Sequence, residues 1–427
     1  MANSDFIIQY GTLTKYIGSD AEIIIPGEVK RIGPSVFKNN TNIVSVVISE
    51  GVEQLGGYAF QGCTSLKSVN MPKSLLKIAT GAFSGCVEMA NVVVPEGVTE
   101  IGDAAFSGCT SLENIVFPNC LHKIGKNCFM GCDSIKSITI PEGVSNIGDG
   151  AFASCQNLKS VSFPTTLTKI DSSAFCWCYN LEDVIIPDNT TEIGKNAFRN
   201  CYKIKKIVIP QNMSVIQEYS FANCKNLTSV NIPDSVTKIE QCAFTMCEKL
   251  KKVSLPKNVE MNVHVFSGCK ALADKDGFVI VNNTLFDYYG ESQDVIIPDG
   301  VTSISGCVFS ESEIKSVVIP EGVTKIAERA FEVCKNLSRV TIPQSVKKIE
   351  KDAFASCPRL TTIVIPEGVT EIEEAFRDSN RLKKVFLPKS VTNIAHYAIT
   401  YKTTIYAPAG SYAESYAKEN NIPFVAE

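Results

Sequence analysis

Cysteine, histidine and lysine are the residues of this chain whose types and spacing could do chemistry. Of 427 residues, seventeen are cysteine and only three are histidine, His122, His264 and His396. A cysteine beside a histidine can act as nucleophile and base, and catalysis of either kind needs such groups gathered in a pocket. The three histidines are too widely spaced for that, and each reads as a solvated turn residue. Cys176-Trp177-Cys178 has the look of a short metal or redox pair. It has no second pair and no nearby histidine, whereas zinc wants four tetrahedral ligands. Cys128 with Cys132 and Cys242 with Cys247 fail on the same ground. Glycines recur at turn spacing and never form the G-x-x-x-x-G-K phosphate loop. No catalytic residue, metal ligand or cofactor site is assigned.

The elements that must carry these residues are edited copies of one stretch, Glu96 to Pro118, EGVTEIGDAAFSGCTSLENIVFP. Closing prolines recur on a 23-residue register through Pro72, Pro95, Pro118, Pro141 and Pro164, and the series resumes from Pro298 to Pro388 with two steps of 22. A second ladder runs through Phe37, Phe60, Phe83, Phe106 and Phe129 to Phe376. A fixed period of this size is the signature of a solenoid. Leu112, Ile115 and Phe117 alternate with polar residues in a short strand, which proline ends because it cannot donate to a ladder. Val98 and Ile101 lie on a second short extended segment, and Asp103-Ala104-Ala105-Phe106 reads as a single helical turn. Such a unit cannot bury its apolar side alone, so like residues of successive coils must line up as internal ladders.

The unit C-x-x-L-x-x-I-x-I-P-x-x-V-x-x-I-x-x-x-A-F, as in Cys155, Leu158, Val161, Phe163, Pro164, Leu167, Ile170, Ala174 and Phe175, resembles the BspA-like class of leucine-rich repeat proteins over nearly the whole chain. The resemblance implies a right-handed leucine-rich-repeat superhelix of short strands, single helical turns and loops, forming a curved elongated rod. It also implies a surface or secreted protein of a host-associated microbe, adhering to a partner such as a host matrix protein. Met1 to Asp5 have neither a basic n-region nor an apolar h-region. Either the protein is not exported by that route or a signal has been removed.

Net charge of −4 gives no reason to expect nucleic acid or an anionic membrane as partner, and no apolar run approaches a membrane span. Twelve cysteines, from Cys63 and Cys86 to Cys334 and Cys357, share one slot of the repeat, while Cys120, Cys128, Cys176, Cys242 and Cys307 lie outside it. Side chains stacked in one direction make poor disulfide geometry. These read as reduced core thiols, which favours a reducing or anaerobic setting. Residues 5–26 have a near-copy at 277–298, matching Phe6 with Phe278, Leu13 with Leu285 and Tyr16 with Tyr288; both read as β-hairpins. The expected organisation is a hairpin cap at 1–26, a repeat block at 27–270, a hairpin insert at 271–298, a second block at 299–408 and a helical cap at 409–427. One continuous rod with a bulge or bend at the insert is expected, and Ser411 with Glu414 forms a capping box for the final helix.

The candidate binding surface is the outward strand face, two residues before each proline: Asn70, Val93, Val116, Thr139, Ser162, Ile185, Val208, Asn231 and Ser254, then Ile296, Val318, Thr341, Val364 and Phe386. Val, Ile and Thr there satisfy β-propensity, yet a contiguous exposed apolar strip commonly marks a protein-binding site. Lys203, Lys205 and Lys206, with Lys249, Lys251 and Lys252 two coils later, form a candidate basic patch. It is either a solvated face or a dock for an acidic partner. The functional reading is a non-enzymatic interaction or adhesion protein holding a protein or glycan. Its rivals are a structural spacer with no ligand of its own and an enzyme using Asp274, Lys275, Asp276 or Tyr288 at the insert.

Overall fold

The computed structural model describes residues 5–427, and the leader reading of the first residues falls largely outside them. Two compact β-solenoid units make up the chain, Met1–Val265 and Phe266–Glu427.

In the first unit each coil contributes two strands. The shorter, such as Glu100–Ile101, lies in a ten-stranded ladder that begins at the N-terminal hairpin and ends at Glu192–Ile193. Ile101 pairs in register with Ile78 and Ile124, so the 23-residue period becomes spatial neighbourhood. The longer strand, such as Asn114–Val116, faces outward and pairs in parallel with Asn91–Val93. Its hydrogen-bonded ladder is interrupted: the strands from Glu22–Ile25 to Ser68–Asn70, the Asn91–Val93 pair and the strands from Ser137–Thr139 to Lys252–Ser254 are separate sheets.

The Asp103–Phe106 stretch is not the expected helical turn. Alternate amides leave the coil: Ala104, Phe106 and Gly108 N–H donate to Lys126, Cys128 and Met130 carbonyls at 2.7–2.9 Å. The intervening amides close i to i−3 turns, Ala105 on Gly102, Ser107 on Ala104 and Cys109 on Phe106. A helix would consume every amide internally. The coil avoids that by placing Ala104 and Gly108 in the left-handed region, φ +53° and +72°. The same two slots are left-handed in nearly every coil, filled by residues as varied as Asn39, Tyr58, Trp177 and Val333.

Inside, the Phe ladder stacks ring on ring from Phe37 to Phe244, with centroids 4.8–5.7 Å apart and planes within 15°. All seventeen cysteines are free thiols. The ladder thiols do more than fill space: each from Cys63 to Cys247 donates to the carbonyl of the preceding coil's Phe, at 3.0–3.5 Å.

The second unit repeats the plan. Its hairpin, Phe278–Val281 with Thr284–Tyr288, matches the first hairpin, Phe6–Gln9 with Thr12–Tyr16, down to the register slip in the first strand. The turn residues Tyr10 and Gly11, like Asn282 and Asn283, both have positive φ, as a type I′ hairpin requires. Phe278, Tyr288 and Phe309 meet in a row of tilted rings, as Phe6, Tyr16 and Phe37 do. Where the Cys slot holds serine, Ser379 Oγ donates to Phe354 O at 2.7 Å, so a hydroxyl performs the thiol's task. In the same shortened coil Arg377 grips the buried Asp352 carboxylate through two hydrogen bonds of 2.9 and 3.1 Å. The helix Tyr412–Glu419 begins at Ser411, whose side chain accepts from Glu414 N–H. The last strand, Phe424–Ala426, pairs with Thr404–Ala407.

Candidate interaction surface

The reactive-looking residues do not converge. His122 and His264 lie several coils apart in the first unit, and His396 is in the second, edge-on to Tyr397. Cys176 and Cys178 are both buried around the half-exposed Trp177, and Cys178 is bonded to Phe152 O. Cys128 occupies the slot before the core Phe that most coils fill with alanine. Burial pushes the thiols of Cys63, Cys109, Cys155 and Cys224 up to about 12. A thiol so disfavoured as thiolate is a poor nucleophile and a poor ligand. Among the described residues no group of three or more His, Cys, Asp or Glu is placed to hold a metal. No helix there is long and apolar enough to cross a membrane.

At the hairpin insert a polar hollow of about 840 Å³ is lined by Asp274, Lys275, Asp276 and Tyr288 among others. Asp274 and Tyr288 are spent on the turn: Asp274 Oδ1 accepts from Asp276 and Phe278 N–H, both at 2.9 Å, and Tyr288 OH donates to Ser292 O. Tyr16 OH plays the corresponding part at the first hairpin, accepting from Asp20 N–H.

Strand alternation puts the whole strip of the first unit outside. Asn70, Thr139, Ser162, Asn231 and Ser254 are exposed, as are Val93, Val116, Ile185 and Val208, with Ile185 reaching 79 %. The strip is not uniformly apolar. Ile24 and Val47, which sequence reasoning left out, extend it toward the N-terminus, and Asn70 separates them from Val93 and Val116. Their signal was legible: both fall on the same register, but the first coils lack part of the motif. Thr139 and Ser162 then divide this patch from Ile185 and Val208. Around Val47, Val93 and Val116 the face sinks into a groove of about 690 Å³, with Lys67, Lys73 and Glu96 among its lining residues. In the second unit Ile296, Val318, Thr341 and Val364 are exposed, while Phe386 is half-buried and stacks on Tyr406 at 4.7 Å.

The six lysines of the basic patch are all exposed. Lys206 and Lys252 flank Ser229 in register on one sheet. Lys205 pairs with Glu182 at 3.4 Å. Beside them runs a chain of contacts between adjacent coils: Tyr179 stacks on Tyr202 at 4.9 Å, Lys225 covers the Tyr202 ring at 5.5 Å and pairs with Glu248 at 3.1 Å. These four residues share one repeat slot, so the 23-residue spacing could have disclosed them.

The family described as BspA type leucine rich repeat region matches residues 30–159, 77–205, 145–273 and 279–406. Among solved structures, a leucine-rich repeat protein from Bacteroides ovatus is similar at 22 % identity, covering 99 % of this chain and 97 % of that one, with a TM-score of 0.52. The leucine rich repeat protein of T. pallidum is 30 % identical over 43 % of this chain and 91 % of its own, with a TM-score of 0.41. A leucine rich cell surface protein from Faecalibacterium prausnitzii is 24 % identical over 97 % of this chain and 96 % of its own, with a TM-score of 0.30. No curated protein sequence is matched.

Proposed function

The chain belongs to the BspA type leucine-rich repeat family, and from that premise we propose that its outward strand face docks a protein partner in an adhesion-type role. Leucine-rich repeat solenoids generally serve as protein-interaction scaffolds and are typically non-enzymatic. One observation carries the reading: Val93 and Val116, 64 % and 55 % exposed, stand with Val47 in a groove of about 690 Å³. Exposed apolar side chains gathered in a concavity support docking of a partner's own apolar groups, because covering each valine is worth about 1.5–3 kcal/mol if complete. The polar residues at the rim, Lys67, Lys73 and Glu96, supply orientation.

The test is a binding screen of the purified chain against immobilised matrix proteins and a glycan array. Saturable binding of a protein that Val93→Glu with Val116→Glu weakens at least tenfold, at unchanged thermal stability, supports the reading. Binding that survives these substitutions moves the site elsewhere. No saturable binder at all favours the spacer function.

A further inference from the structure

The lysines of two coils break a rule that their neighbours keep. Five residues after the core Phe, nearby coils carry Ser134, Asn157, Asn180 and Asn226; two carry Lys203 and Lys249. Eight residues after it they carry Ser137, Ser160 and Ser229, and the same two coils carry Lys206 and Lys252. With Lys251 these side chains are exposed, and none is in a salt bridge among the described residues. Two of the nearby acids are already paired. Glu182 and Glu248 are engaged by Lys205 and Lys225, and Asp183 is the register neighbour of Lys206. Lys203, Lys206, Lys249, Lys251 and Lys252 thus stand outside those two pairs on a chain whose net charge is −4.

Register fixes the spacing: Lys206 and Lys252 stand either side of Ser229, two strand intervals or about 10 Å apart. A row of cations at rigid intervals, with Asn226 and Thr228 between them, complements an extended chain carrying repeated anionic groups and hydroxyls. Nucleic acid fits less well. Tyr202 has one face on Tyr179 and the other under Lys225, leaving no free platform for a base. The patch also lacks the guanidinium forks that suit phosphate, since Arg199 is held over Tyr219 and bonded to Asn196. The density of charge, three lysines in each of two coils, suits a polymer with more than one anionic group per repeating unit.

We propose that Lys203, Lys206, Lys249, Lys251 and Lys252 form a docking strip for a linear sulfated polysaccharide. The strip shares no residue with the Val93–Val116 groove, so the two readings stand or fall separately.

Titration of the full chain with a size-fractionated heparin oligosaccharide, repeated across a salt series, tests the assignment. The variant Lys203→Gln/Lys206→Gln/Lys249→Gln/Lys252→Gln is expected to bind at least tenfold more weakly. Its log–log salt slope should fall by roughly three to four, about one per lysine removed. A control with Lys77→Gln, Lys136→Gln and Lys159→Gln, exposed but outside both the strip and the groove, should bind as the parent does. Circular dichroism melting confirms that both variants are folded; a single Lys252→Glu variant serves should the quadruple one not be. Unchanged affinity and slope in the strip variant would overturn the proposal. So would hyaluronate, which carries carboxylates alone, binding as tightly as heparin, or a single-stranded oligonucleotide or polyglutamate binding more tightly.

Discussion

Exchanging the residues at one left-handed slot between two coils isolates the energetic cost of the conformation. Gly108 and Val333 occupy the same place, two residues after the core Phe, with φ +72° and +57°. Both donate their amide to the next coil, Gly108 to Met130 O at 2.7 Å and Val333 to Ala355 O at 2.9 Å. A Cβ at Gly108 would meet nothing nearer than Gly85 Cα at 3.8 Å, an ordinary contact, so space is not the obstacle. What remains is the dihedral. A side chain in this region costs about 1–2 kcal/mol, and a β-branched one belongs at the upper end. Against this, replacing glycine removes about 0.4–1 kcal/mol of unfolded-chain entropy. Gly108→Val should therefore destabilise by about 1 kcal/mol and Gly108→Ala by roughly half that, while Val333→Gly should stabilise by about 0.5–1 kcal/mol. Urea unfolding at constant m-value reads the change as a shift in midpoint. A lower midpoint for Val333→Gly together with an unmoved one for Gly108→Val would refute the reasoning.

Thiol chemistry offers a second check: iodoacetamide on the native protein should alkylate Cys307 and the half-exposed Cys120, with the remaining cysteines reacting only after denaturation. Mass spectrometry counts the adducts, and rapid native labelling of Cys109 or Cys155 would contradict the burial described. Stability should also fall in alkali. The thiols of Cys63, Cys109, Cys155 and Cys224 are raised from 9.0 to about 12 on folding, so their contribution is whole below pH 9 and is lost as pH climbs toward 12. Each thiol ionised only in the unfolded chain removes about 1.4 kcal/mol per pH unit, and a melting temperature flat from pH 8 to 11 would contradict it. Finally, Arg377→Ala leaves the Asp352 carboxylate, with its side chain 1 % exposed, without its two-pronged partner. The expected loss is about 3 kcal/mol, and a change below ~0.5 kcal/mol in urea unfolding would show that Arg329, 3.8 Å away, suffices.

The sequence disclosed most of what is periodic. Proline and phenylalanine spacing gave the coil register to the residue, and the outward strip followed from strand alternation, Ile24 and Val47 apart. The misread element was Asp103–Phe106, where alanine and aspartate before a core phenylalanine have the look of a helix start. Local preference there is overridden by amides that bond to the next coil, an effect of stacking and not of the segment itself. The thiol-to-carbonyl bonds were equally hidden, because a buried cysteine usually needs no partner. The one clue was that serine takes the same slot at Ser312 and Ser379. The groove was illegible because it depends on depth across several coils, which no single repeat encodes.

Coils within a unit are tied to their neighbours along up to three separate rows of amides, and hardly at all to anything farther off. Under tension applied at the two ends, such an object has no single fracture plane. It would pay out one turn at a time, each 23-residue coil releasing roughly 75 Å of slack, and so absorb a pull gradually where a globular domain would snap open.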